Sequence, residues 1–142
     1  MDEIEYKQYV IVPKRPHMSP GKIASQVAHA TYMAIKKQRD KVTDLLGLPL
    51  IVEQSDARKI REWETSGMCV IVLECEHPNQ LAHIAKYLDQ WKIVNHLYID
   101  EGLTEVLMGT PTALATGVLK KEDHWIFSTL ELYTEKKPWW KK

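Results

Sequence analysis

Apolar and polar positions alternate in blocks along this chain, with short apolar runs separated by longer amphipathic stretches. Four apolar runs have the length and composition of strands, and they cover residues 9–12, 68–73, 94–99 and 112–116. The amphipathic stretches predict helices over residues 20 to about 37, over 41–46 and 56–63, and from residue 78 onward. A last helix is predicted after residue 123, with Ile126, Leu130 and Tyr133 on its core face. Strands that alternate with helices favour a layered α/β domain with a mostly parallel or mixed sheet.

The first helix has a well-marked start and two distinct faces. Ser19 is suited to capping it, and Pro20 is suited to its first position. Its core face carries four apolar residues at helical spacing: Ile23, Val27, Ala30 and Ala34. A separate stripe carries three polar residues: Lys22, Gln26 and His29.

That helix start is the first candidate site. The free N–H groups of the first turn, the helix dipole and the Lys22 ammonium together form a natural anion site. Taken alone, a polar stripe on an exposed helix is the simpler interpretation. The Gly21-Lys22 pair is not a P-loop, because residue 16 is proline where that loop requires glycine.

The loop after the third strand is the second candidate site. Asp100 closes an apolar strand, and strand ends are where α/β folds place their functional groups. Gly102 and Gly109 permit tight turns, while Thr104 and Thr112 supply hydroxyl groups. The alternative is that Asp100 caps a turn and that the threonines only satisfy backbone groups.

The length of 142 residues predicts one domain over residues 1–135, followed by a short basic and aromatic tail at 136–142. No run of about 18 apolar residues exists, so we expect no membrane contact by a spanning helix. The acidic start of the chain lacks the apolar stretch of a secretory signal. Cys69 and Cys75 are too few and too close for a disulfide framework or a zinc site. We therefore expect a cytoplasmic protein with two buried thiols.

The net charge is zero, with 19 basic and 19 acidic side chains, but the basic residues are clustered. Four of them are candidate phosphate contacts: Lys14, Arg15, Lys36 and Lys37. A solvated charged face is the simpler interpretation of any one cluster. The lysines and tryptophans of the tail could also contact RNA or a membrane surface, although a disordered or dimer-packing tail is the simpler expectation. The histidines have no zinc-motif spacing, so no metal site is predicted.

Taken together, the two candidate sites resemble the two signature stretches of the type 2 peptidyl-tRNA hydrolases. The first stretch reads Gly21-Lys22-x-Ala24-x-Gln26-x-x-His29-Ala30. The second reads Asp100-x-Gly102-x-Thr104-x-x-x-x-Gly109-x-x-Thr112-x-x-Ala115-x-Gly117. Met18 and the Trp63-Glu64-x-x-Gly67 stretch also match, and the order of elements fits over roughly residues 8–134.

The resemblance implies a three-layer α/β/α domain on a mixed sheet of about four strands, which works as a homodimer without metal or cofactor. It implies hydrolysis of the ester between a peptide and tRNA. The family's functional lysine, aspartate and two threonines fall on Lys22, Asp100, Thr104 and Thr112. Supporting or substrate-binding positions fall on Gly21, Gln26, His29, Gly102 and Gly109.

Several positions depart from the family's pattern. Pro13 and Arg15 stand where the family usually has arginine and aspartate, and Val70 replaces a lysine. Glu101 and Leu103 replace a common alanine and arginine. These changes keep open an alternative function, in which the domain binds RNA or a protein partner without efficient turnover.

Overall fold

The computed structural model describes residues 5–41, 54–101, 106 and 108–134. In chain order these residues form β1 (Tyr6–Pro13), α1 (Pro20–Asp40), α2 (Gln54–Thr65), β2 (Val70–Cys75), α3 (Pro78–Gln90), β3 (Asn95–Ile99), β4 (Pro111–Lys120), a 3₁₀ helix (Lys121–Phe127) and β5 (Glu131–Leu132). Among them, no helix combines the length and the apolar character needed to cross a membrane. The predicted helix at 41–46, except for Lys41, and the tail at 136–142 lie outside the described residues, as do Gly102 and Thr104.

The strands form one mixed sheet in the order β3-β4-β1-β2-β5. β1 and β2 are parallel, while the other neighbouring strands are antiparallel. Alternate residues of β1 point to opposite faces, so Tyr9 and Ile11 pack on the α3 side with Leu81 and Leu88. Val10 packs on the α1 side with the two alanines at 30 and 34. The three-layer α/β/α prediction is therefore confirmed, although the sheet has five strands rather than about four.

Helix α1 begins as its sequence predicts. The Ser19 side chain accepts a hydrogen bond from the Lys22 N–H, and Pro20 occupies the first turn. Ala30 and Ala34 are fully buried against Val10 and two alanines of β4, Ala113 and Ala115. Because all but one of these side chains are single methyl groups, the helix lies close to the sheet.

The prediction of a last helix after residue 123 was wrong. The chain instead forms the 3₁₀ helix and then β5, which pairs with the edge of β2. Phe127 stacks on Tyr9 with ring centroids 4.6 Å apart, which fixes the end of the 3₁₀ helix on the core. The Tyr133 N–H then donates to the Val72 carbonyl at 2.9 Å. Pairing satisfies backbone groups at the edge of β2 that another helical turn would leave without these partners.

Candidate active site

Both candidate sites predicted from the sequence lie at the same end of the sheet, where several strands end or begin. The carboxyl ends of β1 and β2 lie side by side, with Pro13 opposite Cys75. β4 runs antiparallel to β1 and β3, so its first residues reach the same edge, with Pro111 opposite Ile99. Helix α1 starts here too, after a short loop from β1. We call this region, with Lys22, Asp100 and Thr112, the site edge.

Lys22 and Asp100 form an ion pair at the site edge. The Lys22 Nζ donates to the Asp100 Oδ1 at 2.7 Å, and the two side chains are only 10% and 5% exposed. Taking two charges out of water is costly, and one partner left alone would be costlier still. A desolvated, hydrogen-bonded charge pair in this place is therefore a strong candidate for chemistry rather than for stability.

Backbone hydrogen bonds tie Asp100 to the residues just before β4 and hold its position. The Asp100 N–H donates to the Thr110 carbonyl at 2.9 Å, and the Gly109 N–H donates back to the Asp100 carbonyl at 2.9 Å. Gly109 has a φ of 86°, a conformation that favours glycine, so its predicted role in a tight turn is confirmed. Gly21 differs, because a methyl group there would meet no atom within 4 Å and its exposed position shows no steric need for glycine.

Gln26 links helix α1 to strand β4 beside the ion pair. The Thr112 hydroxyl donates to the Gln26 Oε1, and these residues are 1% and 3% exposed. The interpretation of Gln26 as part of an exposed polar stripe was therefore wrong. Position 26 lies one helical turn before Ala30 on the buried face, so its side chain points at the sheet.

His29 takes the next place along α1 and is exposed. Its ring stacks on Tyr98 with centroids 4.9 Å apart and an interplanar angle of 18°. Its Nε2 lies 3.3 Å from the Ser25 Oγ. Sequence reasoning missed Tyr98, although one signal was available. Residues two apart on a strand share a face, so a strand that continued to residue 100 would place Tyr98 and Asp100 on the same side.

A sequence model of the family described as peptidyl-tRNA hydrolase PTH2 matches residues 6–133 of this chain. The chain belongs to the peptidyl-tRNA hydrolase PTH2 family. A protein named peptidyl-tRNA hydrolase from Methanopyrus kandleri is 30% identical over 118 residues, which are 83% of this chain and 89% of that protein. One of the same name from Thermococcus onnurineus is 30% identical over 82% of this chain and 87% of its own length. Another from Thermoplasma volcanium is 33% identical over 78% and 83%.

The four basic candidates of this PTH2 family member fall into two separate groups. Lys14 and Arg15 follow β1 at the site edge, while Lys36 and Lys37 lie near the far end of α1. The Lys14 ammonium bonds to Glu74 and Glu76, each at 3.2 Å, and these hydrogen bonds raise the pKa of Lys14. The Lys37 ammonium donates to the Asn95 carbonyl at 2.8 Å. Arg15 and Lys36 are exposed.

The departures from the family's pattern also separate in space. Pro13 is buried at the end of β1 and Arg15 is exposed just beyond it, so both adjoin the site edge. Val70 begins β2 opposite Gln8, at the other end of the strand from that edge. The replacement of the family's lysine by valine at position 70 therefore leaves the surroundings of the Lys22–Asp100 pair unchanged.

Proposed function

We propose that this chain hydrolyses the ester that joins a peptide to the 3′ ribose of tRNA. The observation that carries the proposal is the desolvated Lys22–Asp100 pair, 2.7 Å across, at the start of α1 and beside Thr112. Family membership supports the same activity, because relatives across most of the chain's length carry the name peptidyl-tRNA hydrolase. An ester has a good leaving group, so the protein must chiefly position water and stabilise negative charge.

Each residue of the site edge then has a defined task. Asp100 orients a water molecule whose oxygen attacks the ester carbonyl carbon, and its carboxylate receives the water's proton. Lys22 and the positive end of the α1 dipole stabilise the oxyanion that forms. The bond to the ribose 3′ oxygen breaks, and that oxygen takes the proton. Thr112 supplies a hydroxyl that Gln26 holds in one orientation, and Thr104 is proposed as a second hydroxyl from the resemblance.

Binding of the tRNA body is assigned to the basic side chains. Lys14 and Arg15 are proposed to contact phosphates near the 3′ end, because they adjoin the site edge. Lys36 and Lys37 lie further along α1 and are proposed to contact phosphates deeper in the acceptor stem. We also propose that the protein works in the cytoplasm and that it forms a homodimer. Its mass in solution, measured by analytical ultracentrifugation, tests the dimer.

The alternative, a domain that binds RNA or protein without turnover, does not account for the buried pair. A binding surface for phosphates uses accessible lysines, whereas Lys22 is turned inward onto Asp100. A buried charge pair stabilises a fold weakly at best. Its presence beside the Thr112 hydroxyl and the Gln26 amide therefore favours a reaction centre.

Release of free tRNA from N-blocked aminoacyl-tRNA tests the proposal. We expect the wild type to release tRNA and Asp100→Asn to be slower by about 10²–10⁴ in kcat/KM, because the variant loses its base. Asp123→Asn, the same substitution on the 3₁₀ helix, is the matched control and should stay within about twofold of the wild type. Tight tRNA binding by a wild type that releases nothing would favour the binding module instead.

A further inference from the structure

Three contacts between helix α1 and the sheet follow one another along the helix. They are the Lys22–Asp100 ion pair, the Gln26–Thr112 hydrogen bond and the His29–Tyr98 ring stack. The first two are assigned above to the reaction centre. The third lies on the same side of the sheet as Asp100, since Tyr98 and Asp100 both contact side chains of α1. It therefore adjoins the reaction centre without taking part in its hydrogen bonds.

The ring stack has one ring packed against the core and one exposed residue. Tyr98 is half-buried and packs against the small side chains under α1. His29 lies on Tyr98 nearly parallel to it, at 18° and 4.9 Å, and its Nε2 lies 3.3 Å from the Ser25 hydroxyl oxygen. His29 is nevertheless exposed. An exposed residue whose aromatic ring is stacked on a second ring is the type of surface on which a nucleobase stacks.

The position of the stack fits one part of the substrate. His29 follows Lys22 by seven residues, which is about 10 Å of helix rise. An ester held at Lys22 and Asp100 includes the 3′ oxygen of a ribose. The terminal base is bonded to C1′ of that same ribose. β3 is an edge strand, and in the described part of the chain no strand pairs with its outer side. A nucleotide can therefore approach the stack from that side.

We propose that His29 and Tyr98 form the platform for the 3′-terminal adenine of tRNA. This proposal rests on the proposed function, because it takes the ester to be bound at the Lys22–Asp100 pair. Stacking tolerates any base, so the platform aligns the terminal nucleotide without reading its identity. Its task is to bring the ester carbon to the water that Asp100 orients, which makes His29 and Tyr98 substrate-positioning residues.

Two short synthetic esters test the platform. One is an N-blocked aminoacyl ester of a CCA trinucleotide, and the other carries the same ester on a terminal ribose without a base. For the wild type we expect kcat/KM to be about 5- to 150-fold higher with adenine present, which corresponds to the usual contribution of one aromatic stack. In His29→Ala and Tyr98→Leu the two esters should be cleaved at nearly equal rates. Tyr98→Phe keeps the ring and should restore the preference.

Tyr87→Leu is the matched control, because Tyr87 is a 40% exposed tyrosine on α3, across the sheet from α1. It should keep the wild-type preference for adenine. Should Tyr98→Leu fail to fold, His29→Ala decides, since an exposed ring contributes little to the core.

The outcomes separate the platform from the activity. A wild type that cleaves neither these esters nor full N-blocked aminoacyl-tRNA would overturn the proposed function. A wild type that cleaves both esters equally, or variants that keep the adenine preference, would overturn the platform alone.

Discussion

Each end of helix α1 places a buried glutamine against strand β4. At the site edge, Gln26 accepts a hydrogen bond from the hydroxyl of Thr112. At the other end, Gln38 accepts from the Val118 N–H at 2.7 Å and donates to the Val118 carbonyl at 3.1 Å. It also donates to the Asp56 carboxylate at 3.0 Å. We call Gln38, Asp56, Gly117 and Val118 the clamp end.

The two ends differ in what the glutamine binds. Gln38 binds both backbone groups of Val118 as well as the Asp56 carboxylate, and it is 2% exposed. Gly117 provides the space for it, since a Cβ there would come within 2.6 Å of the Gln38 Oε1. Gln26 instead holds a side-chain hydroxyl next to a buried charge pair. Backbone groups of a central strand cannot change partners without unfolding, whereas hydroxyls and charges can exchange theirs with a substrate. We therefore expect the clamp end to serve stability and the site edge to serve the proposed chemistry.

The largest expected effect comes from neutralising the ion pair at the site edge. The double variant Lys22→Met, Asp100→Asn should lose about 10²–10⁴ in kcat/KM for N-blocked aminoacyl-tRNA. Its free energy of unfolding in urea should be unchanged or higher, because two buried charges are replaced together. The exposed pair of Arg39 and Glu64 is the control, and Arg39→Met, Glu64→Gln should change neither quantity by much. A large loss of stability in the site-edge variant would contradict the division of labour between the two ends.

The next largest effect is expected from removing the clamp. Gln38→Ala leaves the N–H and carbonyl of fully buried Val118 without the glutamine, so the free energy of unfolding should fall by about 2–4 kcal/mol. Turnover measured well below the unfolding transition should stay within about threefold of the wild type. Equal losses of rate and stability would show that the two ends are not separable.

A smaller effect on stability is expected from crowding the contact between Gly117 and the Gln38 amide. Gly117→Ala should destabilise the wild type by about 1–3 kcal/mol, because the new methyl group displaces the Gln38 amide. In the Gln38→Ala background the same change should cost much less, since the crowded atom is gone. A double-mutant cycle by urea unfolding measures this coupling. Additive costs would mean that Gly117 is needed for another reason.

Much of the structure of α1 and of the central strands could be predicted from the sequence. Ser19 and Pro20 predict the start of α1, and unbroken apolar runs predict the central strands. The buried glutamines were missed because polarity was taken as a sign of exposure. Yet positions 26, 30, 34 and 38 are each four residues apart, so the two glutamines continue the stripe of the two alanines at both ends.

Two other features could not be predicted in this way. β5 has two residues, too few for an alternating pattern, and its pairing with β2 is a long-range contact that no local preference specifies. The stack of His29 on Tyr98 also depends on how far α1 lies along β3. Motifs identify Lys22, Asp100 and Thr112 one by one. They do not give the distance between helix and sheet, which the packed alanines set.

The separation of the ion-pair partners along the chain has a consequence for biosynthesis. Lys22 and Asp100 are 78 residues apart, so at ribosomal rates of about 5–20 residues per second the lysine is made roughly 4–16 s before its partner. β1 also waits for β4, one of its two neighbours, until residues 111–120 have been made. A nascent chain thus carries a half-paired apolar strand for seconds, and a copy truncated before Asp100 has the lysine of the proposed reaction centre without its carboxylate.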